Sequence, residues 1–160
     1  NKMNPKEIFE LLKKEIGDGA LELVEKEHHD PFIVVSADAI VEACLVLRDD
    51  PNTLFDYLVN LSGVDEKDKF IVVYHLFSLQ HKHRIALKVY LDRENPHVPT
   101  VERVWRSANW HEREAYDMFG IVFDGHSDLR RILCPYDWEG HPLRKDYKTP
   151  DYYKGIKVPL

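Results

Sequence analysis

Near the start of the chain, apolar residues recur at helical spacing. Ile8, Leu11, Leu12 and Ile16 lie three and four apart behind Asn4-Pro5, a pair suited to opening a helix. Gly17 or Gly19 is placed to end it. Leu21 to Glu27 alternates, which predicts a strand with Leu21 and Leu23 on one side. His28-His29-Asp30-Pro31 reads as a turn and Phe32–Val35 as a short apolar strand. Ser36 or Asp38 can cap a second helix running to about Leu47, broken by Asp49-Asp50-Pro51-Asn52. From Leu54 to Leu61 the spacing is helical again, ending at Ser62-Gly63. Phe70–Leu79 is β-branched and aromatic, and Arg84–Leu91 alternates cleanly. Gln80–His83 joins them, so the pair predicts a long antiparallel hairpin. Asn95–Pro99, with two prolines, predicts a loop, and Val101–Trp105 a helical turn or two.

A charged helix follows. Asn109 and Glu112 have capping-box spacing, with Glu112 and Glu114 expected in the first turn. Arg113 and Asp117, four apart, are expected to pair along its surface. Ala108, Ala115, Met118 and Phe119 form an apolar side, and Gly120 is a natural stop. Two uses compete for the charges: a solvated face with ordinary ion pairs, or complementary charges on a partner. Past Phe123 the periodicity disappears. Residues 124–160 hold four prolines, yet they also hold Tyr136, Trp138, Tyr147, Tyr152 and Tyr153, more aromatics than a disordered tail carries. Arg130, Arg131 and Arg144 offer forks suited to carboxylates. The expected fold class is α+β: a two-layer domain over residues 1–123 with an antiparallel or mixed sheet and helices on one face. An extended partner-binding arm follows over residues 124–160.

Composition narrows the function. At 160 residues, with a net charge of −6, nucleic-acid binding is disfavoured. Residues 124–160 carry seven basic and six acidic residues, leaving −7 on residues 1–123. The arm is thus near-neutral and bipolar, as suits a pairing surface. No apolar run approaches the ~18–20 residues that span a bilayer, and no secretory pattern opens the chain. Cys44 and Cys134 form no Cys-x-x-Cys pattern, which fits a reducing compartment.

Several residues carry a resemblance. Glu112-Arg113-Glu114, Asp117-Met118-Phe119, His126, and Arg130-Arg131-Ile132-Leu133 resemble the signature of the C subunit of complex I, the NADH-quinone oxidoreductase family. The run from Asp137 through Trp138, His141, Arg144, Lys145 and Asp146 to Tyr147 extends it, as do Tyr74-His75-Leu76, Ser78 and Trp110. Ser127 departs from the Pro usual after Gly-His, and no fused second domain is expected after Tyr147. The resemblance implies a non-catalytic subunit of the hydrophilic arm, in the quinone-reducing module of a proton-translocating NADH:quinone oxidoreductase. It would dock chiefly on the D subunit, with the B and I subunits also in that arm, on the cytoplasmic face of the bacterial inner membrane. FMN, iron–sulfur clusters and quinone would belong to the parent complex and none to this chain. Glu112, Arg113, Glu114, Asp117, His126, Arg130, Arg131, Trp138, His141, Arg144, Lys145, Asp146 and Tyr147 would form the interface.

The residues agree where they speak. The chain has no Gly-x-Gly-x-x-Gly after a strand, and two cysteines cannot supply four thiolates. The competing class is a stand-alone hydrolase or metal enzyme built from the Glu, Asp and His of residues 111–141. His111-Glu112-Arg113-Glu114 lacks the second His of a zinc-protease helix, and His81/His83 sit at a hairpin tip. Nearby cations are expected to depress, not raise, the carboxyl pKa values of Glu112 and Asp117. His126 and His141 either act at an interface or pack within the arm, the latter being the simpler role. Cys134 lacks the base and orienter of a nucleophile.

Overall fold

The computed structural model describes residues 2–159. Helix α1 (Pro5–Ile16) begins as its sequence predicts. The Asn4 carboxamide accepts the Glu7 N–H at 2.8 Å, Glu7 accepts the Asn4 N–H, and Pro5 takes the first helical position. Strands β1 (Ala20–Val24), β2 (Phe32–Val35), β3 (Tyr57–Asp65), β4 (Lys69–Phe77) and β5 (Arg84–Asp92) form one mixed sheet in the order β1-β2-β5-β4-β3. Only the β2–β5 pair is parallel. The expected hairpin is β4–β5, in unbroken register from Lys69↔Asp92 to Phe77↔Arg84.

The core lies on one face of this sheet. Ile33, Phe70, Val72, Tyr74, Leu87 and Val89 point to it. There they meet Ile8 and Leu12 of α1, Ile40, Ala43 and Leu47 of α2 (Ile40–Asp49), and Ala115, Met118 and Phe119 of α3 (Ala108–Phe119). The opposite face carries Phe32, Val34, Ile71, Val73 and Ala86, and no helix packs on it among the described residues. The architecture is therefore α+β in two layers, as expected.

Four local expectations are corrected. Leu54–Leu61 is not a helix. Leu54 has a positive φ of 40°, its N–H closes a turn on Asp50 O, the Phe55 N–H bonds back to Leu47 O, and β3 follows. A bulge between Leu58 and Asn60 inserts one residue, so Leu58 and Leu61 both face the core although three apart. One extra residue in a two-residue repeat imitates helical spacing. A second bulge, between Ala20 and Glu22, turns Ala20 and Leu23 inward and leaves Leu21 exposed, so Leu21 and Leu23 do not share a side. Asn95–Pro99 is not all loop: β6 (His97–Pro99) pairs in parallel with β7 (Val122–Asp124). Helix α2 is preceded by a short 3-10 turn, Ala37–Ala39, and neither Ser36 nor Asp38 caps it through its side chain.

Gly63 lies inside β3 because α3 demands it. A Cβ there would stand 2.6 Å from the Phe119 ring. Val101–Trp105 is one helical turn, closed by Trp105 N–H to Val101 O and held by Trp105 Nε1–H to Phe55 O.

Candidate interface built on the third helix and the arm

Helix α3 starts at Ala108 behind Ser107, with no side-chain cap. The expected capping box is absent because Asn109 and Glu112 lie within the helix. The amide of Asn109 instead reaches toward Glu102 and Ser127. Glu112 is fully buried on the core side, and its carboxylate accepts from Thr100 Oγ1–H and the Val101 N–H. Burial pushes its pKa up to about 7, against the expected depression; the two hydrogen bonds oppose the rise but do not cancel it. No cation pairs with Glu112 among the described residues, since Arg113 turns the other way.

Arg113 and Asp117 do not pair with each other. Both are buried, and both serve the arm. Arg113 donates from Nε and Nη2 to the carbonyls of Arg130 and Arg131. The Asp117 Oδ2 accepts three successive backbone N–H groups, from Ile132, Leu133 and Cys134, at 3.1, 2.7 and 2.9 Å. Its Oδ1 takes the Arg131 guanidinium at 2.7 Å. Burial alone would raise this carboxyl, but the amides and Arg131 outweigh it and the pKa falls, here as expected. One turn of helix thus supplies carbonyl-binding and amide-binding groups in place of a neighbouring strand, which satisfies the irregular backbone of residues 130–134.

The last turn of α3 is met in the same way. The exposed end of a helix leaves carbonyls without partners. The Asp117 carbonyl accepts from His141 Nδ1–H, that of Met118 from the Leu143 N–H, and that of Phe119 from Arg144 Nε at 2.6 Å. Gly120 then leaves the helix in the left-handed region, φ 77°. A Cβ there would also stand 2.6–2.7 Å from Arg144 and His141, so both conformation and arm contact require glycine. Burial lowers the His141 pKa, with Arg144 and Arg131 nearby also opposing protonation.

Two further anchors escape sequence reasoning. Asp65, at the end of β3, forms a bidentate pair with Arg93 and accepts the Lys145 N–H, while Arg93 also reaches Asp146 at 3.0 Å. The Arg93 guanidinium, with the Lys145 and Lys67 amides, holds the Asp65 carboxyl far below the usual range. Glu102 receives the Ser127 N–H and lies 3.3 Å from His126 Nε2. Because His126 Nδ1 accepts the Asp128 N–H, the proton sits on Nε2, directed to Asn109 O and Glu102. These partners are tens of residues apart, and no local spacing signals them.

The remaining interface candidates are placed as follows. Glu114 is exposed on α3, and Arg130 is exposed beside Asp128. Trp138 Nε1–H donates to Tyr147 Oη, and the Trp138 ring lies tilted against that of Tyr153, 5.3 Å between centroids. Lys145 and Asp146 are exposed. A closing hairpin, β8 (Tyr152–Tyr153) and β9 (Ile156–Lys157), is tied back by Tyr153 Oη–H to Asp137. Among these exposed charges the outward side of the arm also bares large apolar side chains: Leu133 is 64% exposed and Tyr136 86%, and Leu143, Tyr152 and Ile156 are exposed with Trp110 of α3. Among the described residues no group of three or more His, Cys, Asp or Glu is placed to hold a metal, and no helix is long and apolar enough to cross a membrane.

Fold and site define a class: a two-layer α+β domain whose last helix is wrapped by its own C-terminal arm. The chain belongs to the family described as respiratory-chain NADH dehydrogenase, 30 Kd subunit, whose model matches residues 33–153. It is 47% identical over 153 residues to the C subunit of the NADH-quinone oxidoreductase of Chloroherpeton thalassium, covering 94% of this chain and 64% of that protein. It is also 47% identical to the C subunit of the Chlorobium phaeobacteroides enzyme, covering 94% of this chain and 93% of that one. Among solved structures, the trypsin-resistant fragment (1–134) of Nqo5 matches with TM-score 0.59 and 29% identity, over 75% of this chain and 97% of the fragment. A structure of the membrane-bound sulfane sulfur reductase, an archaeal respiratory membrane complex, shares the fold. Its TM-score is 0.70 at 23% identity, over 89% of this chain and 84% of that one.

Proposed function

We propose that this chain is a non-catalytic structural subunit in the quinone-reducing module of the hydrophilic arm of a complex I-type NADH-quinone oxidoreductase. It supports electron transfer from NADH or another donor to quinone without holding flavin, cluster or quinone itself. Residues 1–123 are the self-standing domain, and residues 124–160 present a surface to neighbours, the D subunit first, then the B and I subunits. The chain sits peripherally on the cytoplasmic face of the membrane.

The observation that carries this reading is the division of labour in the arm. Its backbone and several of its side chains are bonded inward, to Arg113, Asp117, Asp65 and the end of α3, while Leu133, Tyr136, Leu143, Tyr152 and Ile156 face outward uncovered among exposed charges. Exposed large apolar and aromatic side chains set among charges are what a partner covers. A trypsin-resistant core in the Nqo5 relative supports treating the α+β layers as the self-standing part. The test is affinity purification of the tagged chain from its native membrane under mild detergent. Recovery with the other subunits, and no NADH:quinone turnover from the chain purified alone, is the expected result. A chain recovered free of every other subunit would overturn the proposal.

A further inference from the structure

The five-stranded sheet has two edges, and they are treated differently. At one, β1 is five residues long, bulged, marked by exposed Glu22, and Lys13 Nζ occupies the carbonyl of Ala20. Those are the usual protections of an exposed edge. At the other, β3 runs nine residues and is bulged only near its start, between Leu58 and Asn60; its regular stretch, Asn60 to Asp65, carries no Lys, Arg or Pro. Its one charge, Asp65, is taken by Arg93. All ladder bonds of β3 run to β4, and no hydrogen bond reaches its outer side over Tyr57–Val64 among the described residues. Tyr57 and Val59, on the same strand, are 51% and 49% exposed.

Beside this bare edge is a cleft of about 190 Å³. The β3 segment from Asn60 to Gly63 forms one wall, His111, Ala115 and Met118 of α3 the other, and Leu143 of the arm closes one end. A strand edge facing a helix across a slot of mixed polarity is the geometry that accepts an added extended peptide: the edge supplies backbone bonds, and the slot takes alternate side chains. Glu114, also lining the cleft, is exposed and has no cationic partner among the described residues.

We propose that β3 receives, along Asn60–Val64, an extended segment of a neighbouring subunit as a sixth strand. The segment places an apolar side chain under Ala115, Met118 and Leu143 and a Lys or Arg opposite Glu114. Its recognition is mainly backbone to backbone, so the occupant is a polypeptide strand rather than a helix or a small molecule. Leu143 belongs both to this cleft and to the outward face of the arm, so the two surfaces are continuous. The inference rests on the subunit reading, because it needs a neighbour.

The experiment uses the assembled complex and the chain alone. Amide hydrogen exchange over Asn60–Val64 is expected to slow at least ten-fold on assembly. A photoactivatable phenylalanine analogue at His111 is expected to cross-link to one contiguous, non-helical segment of another subunit. Glu114→Lys is expected to cut that cross-link several-fold while the isolated chain melts as before. Unchanged exchange over Asn60–Val64 in a complex that still contains the chain would overturn this inference and leave the subunit reading intact. Cross-linking to a helix, or to a second copy of this chain, would overturn it as well. A chain that never co-purifies would instead refute the subunit reading.

Discussion

At the scale of single residues, Glu112 and Asp117 show how one helix gives two carboxylates opposite characters. Both are fully buried. Asp117 has three amides and a guanidinium, whereas Glu112 has one hydroxyl, one amide and no cation among the described residues. For Glu112 the sign runs against the usual carboxylate. The unfolded chain releases its proton near 4.5 and the folded chain near 7, so the folded state holds more protons between them. The Glu112 contribution to stability therefore falls as pH rises from about 4.5 to about 7 and is flat above, a total on the order of 3 kcal/mol. Glu112→Gln keeps an acceptor for the Val101 N–H and cannot ionise. Thermal melts from pH 4.5 to 8 should show the variant losing this slope, and parallel curves for both proteins would refute the assignment. Asp117 runs the other way: its lowered pKa gives stability that is present above the ordinary carboxylate value and lost as pH falls below it. Asp117→Ala removes the acceptor for three N–H groups and strands Arg131, a change expected to cost ~3–5 kcal/mol. Amide exchange at Ile132, Leu133 and Cys134 should then become fast. The residue types of this site were legible in the chain, but its pairings were not. Arg113 and Asp117 are four apart and read as a surface pair, and only the return of residues 130–134 across the helix shows that both bind backbone.

Among the elements, what sequence reading found and missed divides by periodicity. Helix α1, the β4–β5 hairpin and the apolar side of α3 follow undisturbed repeats and were legible. Strand β3 was not, because its bulge shifts the inward positions to a spacing of three, and β1 misled for the same reason. The β6–β7 pair was hidden behind two prolines; its ladder uses a parallel partner more than twenty residues away. The cap spacing of Asn109 and Glu112 points past the true start of α3 at Ala108, because their side chains are engaged elsewhere. The junction between α3 and the arm follows from one glycine. Gly120→Ala puts a side chain at φ 77° and presses on Arg144 and His141. Left-handed geometry alone costs ~1–2 kcal/mol for such a residue. The expected outcome is a lower Tm together with faster proteolysis after Arg144 or Lys145. Unaltered cleavage there would mean the arm is held independently of the helix end.

For the molecule as a whole, the arm is a two-sided element, and its two sides should separate experimentally. Its inner side is bonded to the domain at α3, at the end of β3 and just past β5, so changes there damage the chain itself. Arg144, which caps the Phe119 carbonyl and lies 5.0 Å from the Phe70 ring, is one of these, and Arg144→Glu should lower the Tm of the isolated chain. Its outer side is little engaged by the rest of the chain. Leu133 and Tyr136 are mostly exposed, and Arg130 makes a surface pair with Asp128 through its side chain, worth little to stability. Leu133→Asp with Tyr136→Asp should leave the isolated chain's melting within about 0.5 kcal/mol of the parent, as exposed substitutions do. At the proposed docking surface the same pair would replace an apolar contact with two desolvated charges. Loss of one central aromatic anchor commonly costs ~2 kcal/mol or more, roughly thirty-fold in affinity. The double variant should therefore be recovered free of its partners while folding normally. The comparison to make is subunit stoichiometry after purification against the Tm of the same preparation. Normal incorporation of Leu133→Asp/Tyr136→Asp would place the docking surface elsewhere on the domain, with the exposed Tyr57 and Val59 of β3 the next apolar positions to test.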